Sequence, residues 1–163
     1  MPPHAAVDIM VYVGKTIASN RKARFEYEIL ERFEAGLVLV GSEVKSLRDG
    51  RASLADAYAV IQNGEAYVHK LHINMYEAAN RFNHEPTRPR KLLLHRRELK
   101  RLIGRVAERG LTLVPLSIYF NERGFAKVSL GLARGKKLYD KREATKEREA
   151  KREMERAFSR RRD

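Results

Sequence analysis

Apolar residues recur along this chain with two periods. Between Arg96 and Arg109, Leu99, Leu102, Ile103 and Val106 fall at i, i+3, i+4 and i+7. That stripe predicts an amphipathic helix, and Gly110 supplies its C-terminal stop. Gly41 to Asp49 predicts a shorter helix, with Ser42 available as its cap, Val44 and Leu47 three apart, and Gly50 at its end. The remaining apolar runs read as strands. Phe25 to Val40 is one, with a bend or bulge allowed at Gly36. Ala57–Ile61 and Ala66–Leu71 flank Gln62-Asn63-Gly64-Glu65, and an Asn-Gly pair between β-prone runs predicts a tight hairpin. Lys91–Leu94 is a short strand. Thr112–Phe120 and Phe125–Leu132 form a second hairpin around Asn121-Glu122-Arg123-Gly124. Leu54–Asp56 is turn-like and Glu77–Pro89 a polar loop; Met1–Thr16 has no pattern and reads as a loose leader.

The pattern therefore predicts a mainly β domain of antiparallel strands, flanked by one good helix and one short one. Several short strands with tight turns suit a small barrel, the oligonucleotide-binding type being one form, although periodicity leaves a sandwich equally open. The domain spans residues 17–133, after the leader at 1–16. Residues 134–163 form a basic tail that breaks both periods. The tail holds 13 Lys or Arg against 7 Asp or Glu, and its only large apolar residues are Leu138, Tyr139, Met154 and Phe158. Such a segment buries too little to offset its ordering entropy, so it is expected to be disordered alone. Glu147–Lys151, Glu149–Arg152 and Glu153–Arg156 are helix-spaced pairs, each worth only about 0.2–0.5 kcal/mol. A helical state is thus available to the tail on binding a polyanion.

Charge sharpens this picture. The chain carries a net charge of +13, shared between domain and tail, so phosphate is the natural partner. No segment approaches the roughly 20 apolar residues of a spanning helix, and no stretch reads as a secretory signal. The absence of cysteine excludes disulfides, zinc ribbons and thiol catalysis. These features point to a cytoplasmic RNA-binding protein. Catalytic signals are poor. His69 and His72, three apart on a strand, would face opposite sides and make a weak metal pair. Glu34 and Asp56 are a conceivable acid–base pair, with a surface carboxylate and a turn residue as the plainer reading. No phosphate-cradling glycine loop is present. The basic clusters say more. Asn20-Arg21-Lys22-Ala23-Arg24-Phe25 sets three cations beside an amide and a ring that can stack on unpaired bases; a solvated leader into the strand is the alternative. Lys45 and Arg48 lie three apart on the short helix. Arg88-Pro89-Arg90-Lys91 is a basic loop edge, and Lys127 alternates with apolar neighbours and faces outward.

Six segments in order then carry a resemblance to a known family. They are Asn20-Arg21-Lys22-Ala23-Arg24, Glu34-Ala35-Gly36-Leu37, Gly41-Ser42-Glu43-Val44-Lys45-Ser46-Leu47-Arg48, Arg90-Lys91-Leu92-Leu93-Leu94, Leu113-Val114-Pro115-Leu116, and Gly135-Lys136-Lys137 through Asp140-Lys141-Arg142. The chain resembles the SsrA-binding protein family (small protein B, SmpB), bacterial partners of transfer-messenger RNA. The resemblance implies a six-stranded barrel like the oligonucleotide-binding (OB) fold, with flanking short helices and a tail unstructured in solution. It implies no enzyme activity and no cofactor or metal. It implies binding of the tRNA-like domain of transfer-messenger RNA and its delivery, by a monomer, to ribosomes stalled on messages without a stop codon. RNA contacts would fall on Asn20, Arg21, Arg24, Glu34, Lys45, Arg48, Leu93 and Lys127. Gly135, Lys136, Lys137, Tyr139, Asp140, Lys141 and Arg142 would meet small-subunit rRNA at the empty decoding centre, and Glu143 onward would run as a helix along the vacant mRNA channel. Tyr139 stands where some relatives carry histidine; it can stack but cannot become cationic.

Two other readings compete: a ribosomal-protein-like structural component, or a small RNA-processing enzyme using Glu34 or Asp56. Electrostatic attraction to phosphate can be measured directly. Binding of the protein to structured RNA should weaken with salt, with a log–log slope of about 0.7–0.9 per phosphate neutralised. An affinity flat in salt would remove it.

Overall fold

The computed structural model describes residues 16–108, 110–136 and 138–162. The expected leader thus lies outside the described residues except for Thr16, which opens β1 (Thr16–Ser19). The chain continues through α1 (Arg21–Glu26), β2 (Tyr27–Leu37), α2 (Gly41–Arg48), β3 (Ala52–Ser53), β4 (Tyr58–Gln62), β5 (Glu65–His69) and β6 (His72–Ile73). A 3-10 turn at Glu77–Phe82 leads to β7 (Arg90–Leu93), α3 (Arg96–Val106), β8 (Leu111–Phe120), β9 (Ala126–Gly135) and α4 (Leu138–Arg162).

Six strands close into an antiparallel ring in the order β8–β4–β5–β7–β2–β9 and back to β8. It is not a regular barrel. β2 and β9 pair along most of their length, from Tyr27↔Gly135 to Gly36↔Lys127, whereas β4 meets β8 only at Ala59↔Leu113. β1 lies outside the ring, paired to β8, and β3–β6 form a separate two-stranded sheet. The β4–β5 hairpin turns at Asn63 and Gly64, with φ of 52° and 73°, the positive angles that an Asn-Gly turn demands. Alternation sorts the ring's side chains. Phe33, Ala35 and Leu37 of β2, Ile118 and Phe120 of β8, and Val128, Leu130 and Leu132 of β9 enter one core. Leu47 of α2 and Leu102 of α3, both fully buried, join it. Burying each is worth about 1.5–3 kcal/mol.

Three expectations need correction. The strand expected from Phe25 begins at Tyr27, because Arg21–Glu26 is helical. Asn20 caps that helix by accepting from the Ala23 N–H at 3.2 Å, and Ala23 packs on Val114, Leu116 and Ala133 in a small cluster outside the ring. A helix this short shows no period in sequence. Ser42 is not the cap of α2: the Glu43 carboxylate accepts from the Val40 N–H at 2.9 Å, while Ser42 bonds the buried His84 at 2.8 Å. The basic loop edge is not a free charge cluster, since Arg88 and Arg90 fold inward onto Glu43 and Lys91 pairs with Glu65 at 2.6 Å. The tail is helical here over Leu138–Arg162. Its root is held: Lys136 gives its backbone N–H to the Glu26 carbonyl at 2.9 Å and its ammonium to the Arg24 carbonyl at 3.0 Å. Among the described residues no helix is long and apolar enough to cross a membrane, which says nothing of spanning strands.

The Glu43 cluster ties these parts together. Glu43 and Arg90 are both fully buried. Arg90 binds Glu43 through Nε and donates to the Leu71 carbonyl at 2.5 Å and the Pro86 carbonyl at 3.1 Å. Arg88 reaches the same carboxylate at 2.5 Å. Burial alone would raise the Glu43 carboxyl, but hydrogen bonds from Arg88, the Val40 N–H and Arg90 outweigh it and hold it below the usual carboxylate range. A depressed carboxylate contributes stability that is present above its unfolded value and lost as pH falls through its folded one. Glu43→Gln should therefore cost about 3–5 kcal/mol at neutral pH, by stranding the buried guanidinium. It should also remove part of the acid-induced loss of stability below the carboxylate range. Denaturant unfolding against pH measures both.

Candidate nucleic-acid interface

The outer surface of β2, β9 and β8 forms one continuous face. At one end α1 lies across it on Ala23, presenting Arg21, Lys22 and Arg24 to solvent. Asn20 fixes this helix. Its carboxamide NH2 donates to the Pro115 carbonyl at 3.1 Å, its oxygen caps α1, and its N–H donates to the Leu116 carbonyl at 2.8 Å. Asn20 thus acts first by aiming Arg21 and Arg24.

The middle of the face carries exposed Arg32 and Glu34 on β2, facing Ser129 of β9 and Ser117 of β8 through the register Glu34↔Ser129↔Ser117. The Tyr119 hydroxyl donates to the Glu34 carboxylate. Burial, and then that carboxylate, push the Tyr119 phenol well up, so it remains a donor at any working pH. Glu34 is thereby held in one orientation, suited to accept from a base amino group rather than to meet phosphate.

At the far end the register Leu93↔Gly36↔Lys127 sets an apolar side chain and an ammonium on either side of a glycine. A Cβ at Gly36 would lie 3.3 Å from the Leu93 Cβ and 3.7 Å from the Lys127 Nζ. Glycine therefore lets the two close over one spot. Leu93 is 53% exposed and Phe125, on the same groove, 61%. Unpaired bases seek apolar surfaces of this kind, with a cation at the rim for the backbone.

Six of the eight residues expected to meet RNA share this face: Asn20, Arg21, Arg24, Glu34, Leu93 and Lys127. Lys45 and Arg48 stand apart on the exposed side of α2, whose Val44 borders the Leu93 groove. The Lys45 ammonium sits 5.5 Å from the Tyr76 ring centroid. Among the residues expected at the ribosome, Gly135 pairs with Tyr27 at the end of β9, and Lys136 clamps α1. Lys137 lies outside the described residues. Tyr139, Asp140, Lys141 and Arg142 fall in the opening turns of α4. Sequence reading passed over Arg32, Tyr119, Ser117 and Ser129. The i, i+2 spacing of Arg32 and Glu34 was the available signal; the cross-strand partners had none. The other candidates separate. His69 stacks on Tyr58 at 5.3 Å while His72 belongs to β6. Asp56 occupies the turn before β4, with Glu34 committed to Tyr119. No metal-holding group of three or more ligating side chains occurs among the described residues.

A family model described as SmpB protein matches residues 17–160. The chain belongs to the SmpB protein family. It is 58% identical over 144 residues to the SsrA-binding protein of Moorella thermoacetica, an alignment covering 88% of this chain and 93% of that one. It is 60% identical over 142 residues to the SsrA-binding protein of Symbiobacterium thermophilum, covering 87% and 90%. A solved structure described as "tmRNA-SmpB: a journey to the center of the bacterial ribosome" superposes with a TM-score of 0.63 at 55% identity, covering 78% of this chain and 92% of the other.

In this SmpB family member the face sets cations and exposed apolar side chains apart, and affinity against salt would separate their contributions to RNA binding. Lys127→Ala should reduce the salt slope of RNA binding by about one contact. Leu93→Ala should weaken binding about tenfold at unchanged slope, as for loss of one base-stacking platform.

Proposed function

We propose that the β2–β9–β8 face receives the tRNA-like domain of transfer-messenger RNA, and that the chain works as its adaptor on the ribosome in trans-translation. The observation that carries this is the gathering of phosphate-seeking cations, an oriented carboxylate and an exposed apolar groove on one sheet face. Phosphates would engage Arg21 and Arg24 at the α1 end and Lys127 at the other. Glu34 would read a base edge, and Leu93 would support an unstacked base. Lys45 and Arg48 would meet backbone from the flank. SsrA-binding relatives and the ribosomal tmRNA-SmpB structure support this assignment. The chain is a binding adaptor and not an enzyme.

The tail supplies the ribosomal half. Residues 135–142 would occupy the decoding centre, and the rest of α4, with its exposed Lys and Arg, would line a channel of rRNA phosphate left open when message is missing. Alone in solution this helix would exchange with the disordered state, since helix-spaced charge pairs support it only weakly. Place of action follows the partners, on ribosomes in the cytoplasm.

Truncation before Arg134 divides the two roles. The shortened protein should keep RNA affinity within about tenfold of the full chain, losing at most a few phosphate contacts. It should fail to support peptide tagging on a non-stop message in a reconstituted translation system. Normal tagging by the truncated protein would take the tail out of the mechanism.

A further inference from the structure

Between α1 and the sheet lies a groove of about 440 Å³. Four guanidinium-bearing side chains line it: Arg21 and Arg24 from α1, Arg32 from β2 and Arg148 from α4. The Ser117 and Ser129 hydroxyl groups line its sheet side. Among the described residues no carboxylate lines it. Glu34, two residues from Arg32 on the same face, is taken by Tyr119. Four like charges around one small volume repel each other, so the arrangement favours an anion between them.

The presence of Arg148 is not accidental to the geometry. Its guanidinium lies 5.2 Å from the centroid of the Phe25 ring, on the helix that carries Arg21 and Arg24. Lys136 binds the last carbonyls of that helix at the root of the tail. The tail helix is thus tethered to α1 at Lys136 and laid over it at Arg148. Serine hydroxyls and fork-shaped guanidinium groups together suit the oxygens of an RNA phosphodiester backbone.

We infer that Arg32 and Arg148 complete, with Arg21 and Arg24, a four-arginine cradle for the RNA backbone, so that the tail helix forms part of the RNA-binding face. This rests on the function proposed above. It adds that RNA seated in the groove holds α4 against α1, which links occupancy of the barrel to the position of the tail. Phe25 is the positioning residue: its ring carries Arg148 into the groove.

The test uses the full chain and a transcript of the tRNA-like domain of transfer-messenger RNA, with affinity followed against salt. Arg32→Ala and Arg148→Ala should each lower the slope by about 0.7–0.9, and Arg97→Ala, on the exposed side of α3, should not. Phe25→Leu should lower it as Arg148→Ala does, with no further loss when the two are combined. Because the chain has no cysteine, a spin label at Ala150→Cys is unique. Its motion should slow on adding the transcript, and should not slow when Arg148→Ala is present. If Arg21→Ala lowers the slope while Arg32→Ala and Arg148→Ala leave it unchanged, or if the label is indifferent to RNA, the cradle is wrong and the proposed RNA face survives. If Arg21→Ala and Lys127→Ala also leave the slope unchanged, the face itself fails.

Discussion

A carboxylate removed from water must be compensated where it sits, and in this protein that requirement organises one side of the ring. Glu43 projects from the first turn of α2 and is fully buried. Two guanidinium groups converge on it, one from β7 and one from the loop before it. Arg90 then spends its remaining donors on the carbonyls of Leu71 and Pro86, so the segments after β5 and before β7 are fixed by the same charge. Left unpaired, either ion would cost several kcal/mol. The pair therefore acts less as added stability than as a positional lock, in which α2, β7 and their loops are correct together or not at all.

The lock matters because of what lies beside it. Three residues after Arg90 along β7 comes Leu93, and β7 is the strand that joins Gly36 of β2 to the ring. α2 carries Val44 to the edge of the same groove. An interior ion pair thereby sets the far end of an exterior surface. The near end is set by a different device, Asn20, which spends both ends of its amide on holding a six-residue helix to β8. Between them the long β2–β9 pairing supplies a rigid floor. Its inward residues make the core and its outward residues make the face, so one alternation serves packing and recognition at once.

The tail fits that economy. It has little to bury; beyond the strand pairing of Arg134 and Gly135, its contacts with α1 include those of Lys136 and Arg148. Those contacts are polar or cation–π and individually weak, so they are easily exchanged for contacts with phosphate.

Both hairpins, α2, α3, and the basic character of domain and tail could be read from the sequence, because they rest on local period, turn chemistry and charge count. Motif order also singled out Asn20, Arg21, Arg24, Glu34, Leu93 and Lys127, but not that they share one face, nor that Arg32 and Tyr119 lie among them. Asn20 looked like a base reader and turned out first to be a cap. Ser42 looked like a cap and turned out to hold a histidine. Arg88 and Arg90 looked like surface charge, and they neutralise a buried carboxylate forty-odd positions away in the chain. Closure of the strands into a ring, the pairing of Tyr119 with Glu34, and the approach of Arg148 to Arg32 were decided only by the tertiary structure. The physical reason is common to all of them: a residue's period and composition report its neighbours along the chain, whereas desolvation and cross-strand register are settled by neighbours that only folding supplies.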